Sequence, residues 1–120
     1  MTSEDKPKKD FDLEERTALF GEAVIAFAKL VPVTEVTRSL ICQLVRAGTS
    51  VGANYVEADD ADSKKDFKFK IGLCRREARE TKHWLRMIVA AESKFKEKAR
   101  PLWRESQELN LIFSAIRRRL

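Results

Sequence analysis

The sequence predicts an all-α protein that folds as an up-down-up-down antiparallel four-helix bundle. Four stretches of the chain repeat apolar residues at steps of three and four, which places those residues on one face of a helix. No stretch alternates apolar and polar residues as a half-buried strand would. The connections between the stretches are short, which favours antiparallel neighbours. The length of 120 residues indicates one domain, residues 11–120, after a polar tail at residues 1–10 that we expect to be disordered.

Residues that cap or stop helices predict the ends of the first two helices. Asp12 is an N-cap candidate, with Glu15 placed to complete a capping box, and Pro32 ends the first helix. Thr34 can cap the second helix, which ends at the acidic residues 59–62. The predicted core residues of these helices are Leu13, Phe20, Val24, Phe27 and Val31, then Leu40, Ile41, Leu44, Ala47, Val51, Tyr55 and Ala58.

The third helix carries a heptad seam, in which apolar or small residues recur at alternating steps of four and three. Ser63 is its predicted N-cap, with Asp66 three residues on. The pattern lapses into charge between Ser93 and Arg100, and Pro101 then fits the first turn of the fourth helix. The predicted core residues are Phe67, Ile71, Cys74, Ala78, Thr81, Leu85 and Ile88 in the third helix and Leu102, Leu109, Ile112, Phe113 and Ile116 in the fourth.

The cysteines and the N-terminus indicate a cytoplasmic protein. Cys42 and Cys74 lie in apolar runs and form no Cys-x-x-Cys motif, so we expect two buried thiols in a reducing compartment. The first ten residues contain no apolar stretch of the kind a signal peptide needs. No run approaches the roughly 20 apolar residues that span a bilayer.

Basic residues are concentrated in the third helix. The chain has 24 Lys and Arg against 19 Asp and Glu, a net charge of +5. Residues 63–86 contain nine basic and three acidic residues, so this segment carries +6 and the rest of the chain −1. The heptad register places most of these cations on one flank, which suits a nucleic-acid backbone. The predicted nucleic-acid-binding residues are Lys68, Arg75, Arg76, Arg79, Lys82 and Arg86, extended by Arg117, Arg118 and Arg119.

The basic flank also fits simpler interpretations. It can be a solvated surface on which Arg76 and Arg79 pair with carboxylates of neighbouring turns, and the terminal arginines can complement the end of a helix. It can also dock an acidic protein. The flank lacks interleaved aromatic residues for base stacking, so we expect any nucleic-acid contact to be directed at the backbone, with little sequence reading.

The opposite flank of the third helix is apolar beyond what one bundle needs. Leu73, Trp84 and Met87 lie there beside Glu77 and Glu80. A helix in a lone bundle needs an apolar stripe of a little over about 100°. We therefore expect a contact with another subunit, centred on Trp84; the alternative is a tryptophan folded over the end of the bundle.

The second helix contains two glycines four residues apart. Gly48 and Gly52 share a face and let another backbone approach closely. With Asn54 and Glu57 they can form a polar recognition patch. We favour tight helix packing, with Asn54 and Glu57 in hydrogen bonds across the bundle.

The residues give little support to catalysis, metal binding or a cofactor. The single histidine, His83, forms a Glu-x-x-His pair with Glu80, whereas di-iron bundles use two such pairs. The acidic residues 59–62 lack the ligand ladder and central glycine of a calcium loop. No serine or cysteine has a neighbouring base pattern. We expect a protein without enzymatic activity; a site formed between subunits is the weakest alternative.

The segment Arg46-Ala-Gly-Thr-Ser-Val-Gly-Ala-Asn-Tyr-Val-Glu-Ala58 closely resembles the signature of a known family. These are the small four-helix-bundle proteins encoded in intervening sequences of bacterial large-subunit ribosomal RNA genes. The block from Phe67 to Leu85 and the opening Asp12-Leu-Glu-Glu-Arg16 are similar to that family as well, so the resemblance covers residue 10 to the C-terminus. The sequence departs from the family in Cys74, in His83 and in a third helix richer in arginine.

The resemblance implies a non-enzymatic, ring-like homopentamer. It also implies kinship with the accessory proteins of diversity-generating retroelements, which are basic barrels that partner a reverse transcriptase and its template RNA. The motif residues that the resemblance assigns to structure or assembly are Gly48, Thr49, Ser50, Gly52, Asn54, Tyr55 and Glu57. The leading hypothesis is a homo-oligomeric accessory protein that binds nucleic acid, and the alternative is a protein–protein scaffold.

Overall fold

The computed structural model describes residues 12–120, in which the chain forms four α-helices and no strand. The helices are α1 (Leu13–Leu30), α2 (Thr37–Asp59), α3 (Lys64–Ala91) and α4 (Lys96–Arg118), and a 3-10 turn at Ser93–Phe95 precedes α4. The predicted all-α class and the four helices are confirmed. The predicted tail at residues 1–10 lies outside the described residues.

The helices surround one core in chain order. α2 packs against α1 and α3, α3 packs against α4, and a smaller contact between α1 and α4 closes the bundle, so α1 and α3 lie diagonally. Arg16 of α1 fastens that last contact by a bidentate ion pair with Glu105 of α4, at 2.7 and 2.9 Å. The largest fully buried side chains include Leu44, Ile71, Leu85, Ile88, Leu109 and Phe113.

The predicted caps hold the helix starts. The Asp12 carboxylate accepts a hydrogen bond from the Glu15 amide at 3.2 Å, and the Ser63 hydroxyl accepts one from the Asp66 amide at 3.0 Å. The N-cap of α2 is Val36 rather than the predicted Thr34, but the Thr34 hydroxyl accepts a hydrogen bond from the amide of Thr37, the first residue of α2, at 3.0 Å. Each bond satisfies an amide that has no partner inside its own helix.

The predicted start of α4 is wrong. The helix begins at Lys96, so Pro101 lies inside it rather than in its first turn. The intervening Lys, Glu, Ala and Arg residues are good helix formers, and the buried Phe95 and Ala99 anchor this segment to the core. Pro101 is exposed, and its missing N–H removes only a hydrogen bond to Glu97.

The prediction of two buried thiols is wrong for Cys42. Cys74 is fully buried in the seam of α3, but Cys42 is exposed. The buried face of α2 runs through Leu44, Ala47 and Val51, and a residue two positions before Leu44 points away from it. Burial raises the pKa of the Cys74 thiol to about 12.

The glycines of α2 allow α1 to approach closely, as the favoured interpretation predicts. A Cβ at Gly48 would lie 2.8 Å from Val24, and one at Gly52 would lie 3.2 Å from the Thr17 hydroxyl. The predicted hydrogen bonds across the bundle are half right. Glu57 pairs with Lys70 of α3, but Asn54 donates to the Ser50 carbonyl of its own helix at 2.9 Å.

Candidate nucleic-acid interface

The predicted nucleic-acid-binding residues lie along the neighbouring helices α3 and α4. The heptad seam of α3 is buried from Ile71 to Ile88, which leaves the basic residues between the seam positions at the surface. We call the nine predicted residues the cationic face: Lys68, Arg75, Arg76, Arg79, Lys82, Arg86, Arg117, Arg118 and Arg119. Arg75 and Lys82 are half-buried and the other seven are exposed.

The packing of α3 against α4 brings the end of the chain beside the first half of α3. Lys68 and Arg75 of α3 line a shallow hollow of about 370 Å³ with Ser114, Arg117 and Arg118 of α4. Four cations therefore converge around one polar concavity. Arg119 lies one residue beyond α4, is exposed and lines none of the described hollows.

Two contacts position this cluster. A Cβ at Gly72 would lie 3.1 Å from Nε of Arg117, so the glycine provides the space in which the Arg117 side chain crosses α3. The Asn110 amide donates to the Arg75 carbonyl at 2.9 Å and ties the two helices together at the same level. The side-chain Nε of Arg75 is buried and has no hydrogen-bond partner within residues 12–120.

A second hollow continues the cationic face along α3. Arg75, Arg76 and Arg79 line it with Glu80 and His83, and its volume is about 320 Å³. Arg75 belongs to both hollows, so the positive surface is continuous from Lys68 to Arg79.

Two carboxylates of α3, Glu77 and Glu80, form ion pairs with α2, although Glu80 also lines the second hollow. Glu77 and Glu80 accept hydrogen bonds from Arg46 of α2, at 3.2 and 2.5 Å. The bond to Glu80 is the main reason that the pKa of Arg46 lies above its ordinary value. Arg76 and Arg79 form no ion pair with a carboxylate within residues 12–120, so the pairing expected for a merely solvated surface is not seen there. Among the described residues, no member of the cationic face has an ion-pair partner.

The far end of the face contains an aromatic residue that the sequence reasoning missed. Nζ of Lys82 lies 4.7 Å from the ring centre of Trp103 and donates to the Gln107 side chain at 3.1 Å. Trp103 of α4 also lines a hollow with Arg86. The basic flank of α3 still lacks interleaved aromatic residues, but the neighbouring helix α4 adds one beside it. The sequence offered one signal for Trp103, which is that it directly follows Leu102, a predicted core residue of α4.

The residues predicted for assembly lie on other surfaces. Leu73 and Trp84 are half-buried, and Trp84 packs against the core with its indole nitrogen buried and unpartnered among the described residues. The His83 ring contacts the Trp84 ring edge-on, with the ring centres 4.9 Å apart.

The motif residues of α2 make local contacts. Thr49 donates a hydrogen bond to the Val45 carbonyl. Tyr55 is half-buried near Phe113, and burial is the main reason that its pKa is raised.

Comparison with known proteins identifies the family. The 23S rRNA-intervening sequence protein family matches residues 9–115. The chain belongs to this family. The resemblance drawn from the motif at residues 46–58 is thereby confirmed.

A solved relative of the intervening-sequence proteins supports the fold. It is a protein of unknown function from the S23 ribosomal protein family of Bacteroides thetaiotaomicron, with 28% sequence identity and a TM-score of 0.76. The match covers 88% of this chain and 97% of the other. No curated protein matches the chain. Within the described part of the chain, no helix has the length and apolar composition needed to cross a membrane.

Proposed function

We propose that this intervening-sequence protein is a homo-oligomeric accessory protein that binds the phosphate backbone of nucleic acid through its cationic face. The observation that carries the proposal is a set of nine cations, eight on two adjacent helices and Arg119 just beyond α4, none of them paired with a carboxylate within residues 12–120. A cation without an internal partner is free to replace the counterions of a phosphate, and the release of those counterions favours binding.

Arg46 supports the same conclusion. It forms ion pairs with Glu77 and Glu80, so the charges of these two carboxylates are partly balanced from α2 rather than by Arg76 and Arg79. The proposal also includes cytoplasmic location, where the exposed Cys42 remains a free thiol.

The test is a binding measurement across a salt series. We expect affinity for RNA or DNA to fall steeply with salt and to depend little on sequence. The double variant Arg76→Glu/Arg79→Glu changes two exposed side chains, so helix content is unchanged, and we expect at least about a tenfold loss of affinity with a salt slope smaller by about 2.

A matched control distinguishes a loss of the cationic face from a general change in net charge. Lys29→Glu/Arg38→Glu changes the charge equally, on exposed residues of α1 and α2, and should keep most of the affinity. Equal loss in both variants, or no binding by the wild type at low salt, contradicts the proposal. Capture of acidic proteins that survives nuclease treatment would favour the scaffold alternative.

The proposal includes two further parts that follow from the family resemblance, assembly as a homopentamer and partnership with a reverse transcriptase. A homopentamer of 13.8 kDa chains has a mass of about 69 kDa. The partnership with a reverse transcriptase is tested by co-purification from cells that express both proteins, with the double variant at Arg76 and Arg79 as the control for contacts made through RNA.

A further inference from the structure

We propose that the hollow beside Trp103 binds an unpaired nucleobase, so that this protein selects single-stranded over double-stranded nucleic acid. The inference rests on the proposed function, because the cationic face supplies the phosphate contacts. It adds a specificity for strandedness that backbone contacts alone do not provide.

The floor of the hollow is the bundle core. We call it the Trp103 hollow; it has a volume of about 280 Å³ and is lined by Leu85, Arg86, Val89, Lys96, Ala99, Arg100 and Trp103. Leu85 and Ala99 are buried core residues whose edges form an apolar floor. The volume lies just below the usual range for small-molecule pockets, about 300–1,000 Å³, which suits one ring system rather than a whole nucleotide.

Trp103 gives the hollow an aromatic wall. Trp103 belongs to α4, is 37% exposed and lies beside Lys82 of α3. Lys82 contacts the ring as a cation and donates a hydrogen bond to Gln107, and both contacts favour one orientation of the indole. A preordered aromatic surface is the usual platform for stacking a nucleobase, and it accepts any base because every base has a π-face.

The rim of the hollow is positive. Arg86 and Lys96 have no ion-pair partner within the described residues, while Arg100 pairs with Glu97 at 3.0 Å. Arg86 also belongs to the cationic face, which leads along α3 toward the hollow.

An apolar floor, an aromatic wall and a cationic rim together match a base that carries its own phosphates. In a duplex, the bases are stacked and paired, so only an unpaired base can enter. The hollow therefore discriminates by strandedness.

The first test compares three probes of equal length at one salt concentration. They are a single-stranded RNA, the duplex of the same sequence, and an abasic strand with the same phosphates and no bases. We expect the single strand to bind about tenfold more tightly than either of the others. Equal affinity for the single strand and the abasic strand overturns the inference but leaves the proposed function standing. If no probe binds at low salt, both fail.

The second test changes the aromatic wall. Trp103→Ala should lower affinity for the single strand about tenfold and leave duplex and abasic binding unchanged, whereas Trp103→Phe should keep most of the preference. Leu111→Ala, which removes an exposed apolar side chain of α4 outside the hollow, is the matched control and should change nothing. A loss that is equal for all three probes overturns the inference.

A fluorescence measurement avoids any change at Trp103. In Trp84→Phe, Trp103 is the only tryptophan left, so its emission reports on the hollow directly. We expect single-stranded RNA to quench this emission and the abasic strand to leave it unchanged at equal occupancy. Equal quenching by both strands contradicts stacking of a base.

Discussion

Cys42 and Cys74 lie in similar apolar stretches of the sequence but in opposite environments in the bundle. The Cys74 thiol is enclosed by the core, and because burial disfavours the charged thiolate, its pKa rises to about 12. Cys42 is exposed on α2. The thiolate is the reactive form of cysteine, so the two residues should differ sharply in reactivity.

We therefore expect one fast-reacting thiol per folded chain. At pH 8, Ellman's reagent should modify Cys42 rapidly and Cys74 only after the protein unfolds. Cys42→Ser should abolish the fast reaction, and Cys74→Ser should keep it. Two fast thiols in the native protein would contradict the burial of Cys74, and none would contradict the exposure of Cys42.

At the scale of the helix, α1 and α2 depend on glycine for their close contact. Gly48 faces Val24, which is fully buried and branched at Cβ, so it has little freedom to move aside. Gly72 of α3 faces instead the flexible side chain of Arg117. Both glycines are helical, and both lack the helix propensity that alanine would supply.

Replacing these two glycines should have opposite effects. Gly48→Ala should lower the free energy of unfolding by up to about 2 kcal/mol, because overpacking costs about 1–3 kcal/mol and alanine returns about 1. Gly72→Ala should leave stability unchanged or raise it by up to about 1 kcal/mol. Denaturant unfolding at one protein concentration measures both. Equal destabilisation by the two changes would show that Val24 is not the constraint.

The helices differ in how far the sequence could predict them. The seam of α3 has a core residue at every third or fourth position and a clear cap at Ser63, so its start and buried face were both predicted. The start of α4 was missed because a proline five residues inside a helix resembles one in the first turn. Local pattern does not distinguish these cases; the burial of Phe95 and Ala99 does.

The candidate site, like the helices, was predictable only as far as the sequence pattern of a single helix reaches. The positions of the α3 cations follow from its heptad register alone. The cluster of Lys68 with Arg117 and the contact of Lys82 with Trp103 depend on how α3 and α4 are juxtaposed. A helical register does not reveal which residues of a neighbouring helix will be adjacent.

In the whole molecule, the two edges of the bundle have different surfaces. The α3–α4 edge carries the cationic face. The opposite α1–α2 edge carries a mostly apolar groove of about 300 Å³, in which Ile25 and Val56 are 41% and 50% exposed. Exposed apolar surface of this kind favours association between proteins, so the groove suits a contact between copies of the chain.

We expect assembly through this groove. Light scattering should give a multiple of 13.8 kDa for the wild type, and Val56→Glu should reduce it to the monomer mass, because the carboxylate would be buried without a partner. Val33→Glu places the same charge on a residue that is 62% exposed outside the groove, and it should leave the assembly intact. A monomeric wild type would contradict assembly altogether. An unchanged mass for Val56→Glu would contradict the groove as the interface and favour the surface around Trp84.

The diagonal placement of α1 and α3 has a consequence for long ligands. If subunits join through the α1–α2 edge as expected, every α3–α4 edge would stay uncovered, and one assembly would present several equivalent cationic faces at fixed spacing. Once one segment of a strand is bound, the next segment meets a neighbouring subunit at high effective concentration. In such an assembly, a strand long enough to reach several subunits would gain avidity without any new contact, so affinity would increase with the length of the nucleic acid.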